Sequence, residues 1–165
     1  RVLVEAVVTT EPGPLRVMTT HLEYYSLAQR QAQIDAIRRL HAEACAMSGR
    51  PLLPEEQGGS FEVFPRPQQA LLCGDMNFPA TAPERTQMLA PFEGGVLSLH
   101  DAWSVLHPGQ AHAPTVGIHP VDFVSQPECF DFVFVTAGLA GRLVSHGIDA
   151  DTGASDHQPV WVEIS

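Results

Sequence analysis

The stretch that decides the fold is ALLCGDMNFP at residues 70–79, where an apolar run leads directly into Gly74, Asp75 and Asn77. The apolar run predicts a buried strand. Side chains two residues apart project from the same side of a strand, so the carboxylate of Asp75 and the amide of Asn77 lie together at its end. Sites in sheet proteins are commonly built at such carboxyl ends.

Two further segments place polar side chains at the end of a predicted strand. Residues 15–22 alternate between apolar and polar side chains and end at His21, while Asp156 and His157 stand just before the apolar stretch at 160–164. Three strand ends that carry acid, amide or imidazole groups predict one convergent polar cluster.

Four motifs occur in order along the chain: THLE at 20–23, GDMN at 74–77, FDFVFV at 130–135 and SDHQP at 155–159. Together they resemble the endonuclease/exonuclease/phosphatase superfamily of metal-dependent phosphoesterases. The alternation of short strands, helices and long loops predicts a layered α/β fold. The resemblance implies an α/β/β/α sandwich (DNase I-like) with the active site at one edge of two packed sheets.

Local patterns predict the individual elements. Residues 2–10 and 15–22 form a hairpin around a Pro- and Gly-rich turn, and a helix begins after Ser26 and ends at Gly49. Arg30, Arg38 and Arg39 are expected on the solvated face of this helix. The segments expected to be irregular are 49–69 and 100–127, a short helix is expected at 82–89, and strands are expected at 130–135 and 160–164.

Length and composition predict one globular domain spanning residues 1–165, with 44% apolar residues. The net charge of −10 lowers the expectation of broad nucleic-acid binding, although a bound cation can offset an acidic surface. Cys45, Cys73 and Cys129 are expected to be reduced, which favours a cytoplasmic location. No run of about 20 apolar residues predicts a transmembrane segment.

The chain begins at Arg1, directly inside a strand pattern. Members of the superfamily carry a preceding stretch with a strand-borne Asn and a metal-binding Glu. The resemblance therefore implies a carboxy-terminal portion of the domain, incomplete at its amino terminus. It predicts that these residues alone are catalytically deficient, and that an opened sandwich associates as a homo-oligomer or needs a longer chain.

The expected catalytic residues are Asp75, Asn77, His157, Asp131 and His21. Asp75 can orient or deprotonate a water and Asn77 can donate to a phosphoryl oxygen, although both residue types also cap turns. Asp131 is a lone charge in an apolar strand and must be paired or face a site, and His157 is its natural partner. The resemblance implies the same dyad, and it implies that His21 contacts the phosphate.

The expected metal ligands are Asp156 and Asp75, for Mg²⁺ or Mn²⁺. Substrate contacts are expected from Glu23, Tyr24, His112 and Thr115. The histidines of the irregular segment do not have the spacing of a zinc site and are expected at the surface (His100, His107, His112 and His119).

The predicted function is divalent-metal-dependent hydrolysis of a phosphodiester or phosphomonoester by in-line attack of water. The substrate can be small, lipid-like or a nucleic acid, since related proteins share the phosphate site and differ in their loops. Two alternatives remain: a non-catalytic fragment or binding module that retains the phosphate-facing residues, and a histidine-rich protein that binds zinc.

Overall fold

The computed structural model describes residues 1–120, 122 and 124–165. Strands and helices alternate irregularly along the chain. The strands are β1 (Leu3–Thr10), β2 (Gly13–His21), β3 (Ala70–Asp75), β4 (Leu99–Asp101), β5 (Asp131–Thr136), β6 (Leu143–Ile148) and β7 (Val160–Ile164). The helices are α1 (Leu27–Met47), α2 (Pro83–Leu89), α3 (Ala102–Leu106) and α4 (Ala137–Ala140), with single 3-10 turns at Pro54–Glu56 and Gly59–Phe61.

The strands form a mixed five-stranded sheet in the order β1-β2-β3-β5-β4 and a two-stranded sheet of β6 and β7. β1 and β2 are the predicted hairpin, β2 runs parallel to β3, and β5 is antiparallel to both β3 and β4. This register places His21 opposite Asp75, and Asp75 opposite Asp131. The ends of three adjacent strands therefore meet at one edge.

The central strands of the five-stranded sheet are covered on both faces, whereas the edge strand β1 is largely exposed. One face packs under α1 and α2 around buried Met18, Ile34, Leu72 and Phe134. The other face packs against the small sheet, where Leu143, Val160, Val162 and Ile164 contact Val133 and Val135. The described residues thus form the helix layer and the two packed sheets of an α/β/β/α sandwich, and α3 packs on β5 and β6.

Helix α1 begins where the sequence predicts. The hydroxyl of its N-cap, Ser26, accepts a hydrogen bond from the backbone N–H of Gln29 at 3.3 Å. Ile34 and Ile37 face the sheet and are buried. Because an N-cap and an apolar stripe act locally, this helix is readable from the sequence alone.

The prediction that Arg30 and Arg38 lie on a solvated face of α1 is wrong. Arg30 forms an ion pair with the buried Glu84 of α2 at 2.8 Å. Arg38 donates to the backbone carbonyls of Met88 and Ala90, at 2.9 and 2.7 Å, where α2 ends. Both side chains therefore connect α1 to α2 instead of facing solvent, whereas Arg39 is exposed as predicted.

A buried charge, Arg16 of β2, lies between the sheet and α1 with no exposed surface. Its guanidinium lies 3.2 Å from Glu5, donates to Nδ1 of His41 at 2.6 Å and donates to the carbonyl of Pro67 at 3.1 Å. Burial, and then the nearby charge of Arg16, lower the pKa of His41, although its bond to Leu97 opposes this. The neutral ring donates from Nε2 to the carbonyl of Leu97 at 2.7 Å.

Three further findings concern the chain as a whole. All three cysteines are free, as predicted, with Cys45 and Cys129 buried. Among the described residues, no helix combines the length and the apolar character needed to cross a membrane. The segment predicted to be irregular at 100–127 contains α3 and two of the three residues of the short strand β4.

Candidate active site

Asp75, Asp131 and His157 converge at the edge of the sheet where β3 ends and β5 begins. One ligand atom from each lies within 4.8 Å of the other two, and all three side chains are partly buried. Among the described residues, these three form the one group in which three or more possible metal ligands lie close together. None of the four loop histidines belongs to it. The predicted convergence is present for these three residues.

The predicted pair of Asp131 and His157 is present. Nδ1 of His157 lies 2.7 Å from Oδ2 of Asp131, so the ring donates from Nδ1 and leaves Nε2 free to face the site. Burial disfavours the charged ring. The hydrogen bond and charge of Asp131, together with the charge of Asp75, outweigh it and raise the pKa of His157 above its ordinary value.

Buried Thr115 stabilises this pair by hydrogen bonds to Asp131 and to the backbone next to His157. Its hydroxyl donates to Oδ2 of Asp131 at 2.6 Å and accepts from the backbone N–H groups of Phe130 and Asp131, each at 3.1 Å. Its carbonyl accepts from the N–H of Gln158 at 2.8 Å. Because Thr115 has no exposed surface, its side chain is not placed to contact substrate as predicted, and it contacts the carboxylate instead.

Asp75 faces two imidazoles. Its Oδ2 lies 3.4 Å from Nε2 of His21 and 3.8 Å from Nε2 of His157, while Oδ1 accepts the backbone N–H of Asn77 at 2.8 Å. Burial, and then the neighbouring charge of Asp131, raise the pKa of Asp75; the bond from Asn77 and the two imidazoles act in the opposite direction. A cation at this edge would relieve the repulsion between the two carboxylates.

The backbone around Asp75 requires its glycine. Gly74 has φ of +140°, and a Cβ built there would lie 1.9 Å from the carbonyl oxygen of Thr20 on β2. Asn77 adopts a positive φ of 51°, which Asn tolerates better than most residues, and its amide Nδ2 donates to the carbonyl of Leu22 at 2.8 Å. The GDMN sequence thus brings β3 close to β2 and fixes the turn that follows.

His21 and Asp156 lie at the rim of the site. The His21 side chain is 56% exposed and reaches the cluster through Asp75. Asp156 is exposed, accepts a hydrogen bond from the hydroxyl of Ser155 at 3.2 Å, and is not a member of the three-residue cluster. The structure therefore brings Asp131 into the potential ligand group, whereas the sequence pointed to Asp156.

The loop between β2 and α1 carries the other predicted substrate contacts. Glu23 accepts the backbone N–H of Tyr25 at 2.9 Å, and this bond lowers its pKa. Tyr24 is 36% exposed, and its ring meets that of Tyr25 edge to face at 5.1 Å between centroids. Glu23 and Tyr24 follow His21 closely in the chain, in the loop that leaves this edge of the sheet.

His112 is enclosed and does not lie at the surface as expected. Only 10% of its side chain is exposed, and its Nε2 lies 2.7 Å from Oδ2 of Asp101. The same carboxylate oxygen accepts from Arg85 at 2.8 Å. Burial opposes the ionised form of Asp101, but the bonds from His112 and Arg85 prevail and lower its pKa. His107 also departs from the surface expectation, since its ring packs 4.2 Å from that of Trp103.

The donor set of the cluster fits a divalent cation. Two carboxylates and one imidazole suit Mg²⁺ or Mn²⁺, with Mn²⁺ the more tolerant of a nitrogen ligand. Asp75 and Asp131 are neighbours across the strands, so their negative charges lie side by side. A thiolate-rich zinc site is not present among the described residues.

The sequence matches no known protein-family model and no curated protein. The fold does match solved structures. An endonuclease/exonuclease/phosphatase from Bacteroides vulgatus has 17% identity and a TM-score of 0.65, over 99% of this chain and 55% of its own. A 3' phosphatase from Neisseria, bound to a product DNA hairpin, has 17% identity and a TM-score of 0.61, over 98% and 64%.

A third structure, a mannosyl-6-phosphatase from Bacteroides thetaiotaomicron, has 17% identity and a TM-score of 0.59, over 92% of this chain and 51% of its own. The chain therefore spans between about half and two thirds of the length of these three structures. Over that length, it has the DNase I-like fold of the endonuclease/exonuclease/phosphatase superfamily.

Proposed function

We propose that this protein hydrolyses phosphoesters with the help of a divalent cation. The observation that carries the proposal is the convergence of Asp75, Asp131 and His157 within 4.8 Å at one sheet edge. Phosphoester hydrolysis needs a positioned water, a group to orient it and donors for the charge on phosphorus. These three residues, with His21 and Asn77 beside them, offer that combination.

Asp75 and Asp131 would hold the cation, with the rim residue Asp156 as a further oxygen donor. A bound Mg²⁺ or Mn²⁺ supplies Lewis-acid stabilisation of charge on the phosphoryl oxygens. Burial is the main cause of the raised pKa of Asp75, and the charge of Asp131 raises it further. This repulsion between the two carboxylates is the local reason to expect a cation.

His157 is the proposed donor to the phosphate. Its Nδ1–H is directed to Asp131 at 2.7 Å, so a protonated ring presents Nε2–H towards the site. The raised pKa of His157 keeps a larger fraction of the ring protonated near neutral pH. Asp131 fixes the tautomer and balances the positive charge.

Asp75 is the proposed group that orients or deprotonates the attacking water. Its Oδ1 is held by the N–H of Asn77, which leaves Oδ2 directed at the imidazoles. The Asn77 amide donates one hydrogen to Leu22, and in this proposal its second N–H donates to a phosphoryl oxygen. His21, the most exposed of the group, would contact the phosphate from the opposite side of Asp75 to His157.

The net charge of −10 favours small phosphoesters over long nucleic acids, because an acidic surface repels a polyanion beyond the immediate site. Two of the structural relatives are themselves described as phosphatases, one of a mannosyl phosphate and one at DNA 3' ends. Both phosphomonoester and phosphodiester substrates are therefore part of the proposal.

The test is hydrolysis of bis(p-nitrophenyl) phosphate and p-nitrophenyl phosphate by the natural protein with Mg²⁺, Mn²⁺ or Zn²⁺. Asp75→Asn and His157→Ala should each lower kcat by about a hundredfold or more, with unchanged circular dichroism. Matched controls are Asp151→Asn and His100→Ala, both exposed positions away from the cluster. Near-wild-type rates in either site variant would refute the assignment, and turnover supported by zinc alone would refute the cation preference.

A further inference from the structure

A second concavity, lined by both polar and apolar residues, lies beside the proposed active site and is not used by it. It is an open pocket of about 370 Å³, at the lower end of the range for small-molecule sites. It lies between the loop after β3, the start of α2, and the segments around residues 111 and 128. Its polar wall comes from Thr81, Arg85, Gln110, His112 and Glu128.

Chain connectivity keeps this pocket close to the reacting groups. Cys129 lines the pocket and lies two residues before Asp131, while Ala80 lines it and lies three residues after Asn77. Consecutive Cα atoms are about 3.8 Å apart, so these wall residues lie within about 8 and about 11 Å of Asp131 and Asn77. One ring attached to a phosphate spans a distance of this order.

The charges of the pocket disfavour a second phosphate. Arg85 directs Nε to Asp101 at 2.8 Å and Nη2 to the hydroxyl of Ser104 at 2.7 Å. Asp101 is buried and ionised, so it neutralises Arg85. Glu128 then adds a negative charge to the wall, and an anionic group would meet no net positive potential there.

The same wall is suited to hydroxyl groups. The carboxylate of Glu128 accepts, the amide of Gln110 both donates and accepts, and the hydroxyl of Thr81 does both. Pro114 and Pro127 add apolar surface to the lining. A ring that carries several hydroxyls on a C–H framework matches both kinds of surface, because each hydroxyl needs a donor and an acceptor and the C–H faces need apolar contact.

We propose that this pocket is a subsite for a neutral, hydroxyl-rich ring, a sugar or a cyclitol, carried by the phosphoester substrate. The proposal rests on the proposed phosphoesterase function for its place in catalysis, but the binding of the ring itself does not depend on turnover. His112, which packs against Asp101, fixes the inner wall of the pocket.

The first test is direct binding, followed by amide NMR shifts during titration with free glucose and with free myo-inositol at millimolar concentrations. Saturable shifts confined to the pocket residues, and lost in Gln110→Ala and Glu128→Gln, are the expected result. The matched control is Gln31→Ala, an exposed glutamine on α1 outside the pocket. Absence of shifts with both compounds, or identical shifts in the two pocket variants, would overturn the subsite.

The second test compares glucose 6-phosphate with n-hexyl phosphate. Both are monoesters of a primary alcohol, and they differ in the ring and its hydroxyls. Each pocket variant should lower kcat/KM for the sugar ester by roughly fivefold, the usual effect of one lost hydrogen bond, and leave the hexyl ester unchanged. An equal loss on both esters would overturn the subsite. No hydrolysis of either ester would count against the phosphomonoesterase function, while the sugar titration would still decide whether the pocket binds the ring.

Discussion

Replacing Thr115 with valine removes one hydroxyl and keeps the shape of a fully buried side chain. The hydroxyl makes three hydrogen bonds, one to the Asp131 carboxylate and two from the N–H groups of Phe130 and Asp131. Each buried N–H left unpaired costs roughly 1 kcal/mol, and the loss of one hydrogen bond to a charged group costs roughly 2 kcal/mol even though Asp131 keeps its bond from His157. The expected loss in the free energy of unfolding is therefore about 4 kcal/mol, a large share of the stability of a typical domain.

The measurement is urea unfolding followed by tryptophan fluorescence, with Thr115→Ser as the matched control. Serine keeps the hydroxyl and loses one methyl group, which should cost only about 1 kcal/mol. Activity should follow the same order, because only the serine variant retains the donor that fixes Asp131 beside His157. A valine variant as stable as the serine variant, or within about 1 kcal/mol of wild type, would show that the hydroxyl does not hold this pair.

Two further predictions concern the framework of the site. Gly74→Ala should lower Tm sharply or abolish soluble expression, because its Cβ would lie 1.9 Å from the carbonyl oxygen of Thr20, whereas Gly141→Ala, with open space around it, should leave Tm nearly unchanged; equal Tm values for the two would contradict this. The pKa of His41 is lowered in the folded protein. His41 therefore contributes to the free energy of unfolding above the ordinary histidine pKa of about 6.5, and this contribution is lost as pH falls towards the lower pKa of the folded state. His41→Gln should therefore show a smaller decrease in Tm between about pH 8 and about pH 5 than wild type, and an unchanged decrease would show that His41 does not titrate in this way.

The parts of the site that the sequence predicted depend on local signals. Asp131 is the single charge within an apolar strand, and a buried carboxylate needs a partner or a site. His157 was its natural partner, and the family resemblance implied the same pair. Asp75 and Asn77 stand directly after a buried strand, which placed them at the sheet edge. Each of these inferences needed only residues adjacent in the chain or one physical rule about burial.

The parts that were missed depend on distant partners. Thr115 lies in an irregular segment, and nothing nearby in the sequence shows that its hydroxyl meets a carboxylate 16 residues further on. Arg30 and Arg38 occupy polar positions of α1, but their partners lie 50 or more residues away, on α2 and at its end.

The short strand β6 was missed for a different reason. Its sequence, LVSHGI, is interrupted by Gly147, and a Cβ there would lie 2.1 Å from the Trp161 ring of the neighbouring strand. Glycine lowers strand propensity, so only the packing of that ring explains its place in a strand. The signal that marks this strand is therefore a contact between strands.

Arg16 has a consequence for the far end of its own strand. A shift of β2 by one residue relative to its neighbours would reverse the direction of every side chain in the strand. The Arg16 guanidinium would then leave Glu5 and His41, and an unpaired charge would remain at an apolar interface, at a cost of several kcal/mol. This penalty selects one alignment of β2, and in that alignment His21, five residues along, stands opposite Asp75. The buried ion pair of Arg16 thus stabilises the strand register that brings His21 to the candidate active site at the other end of β2.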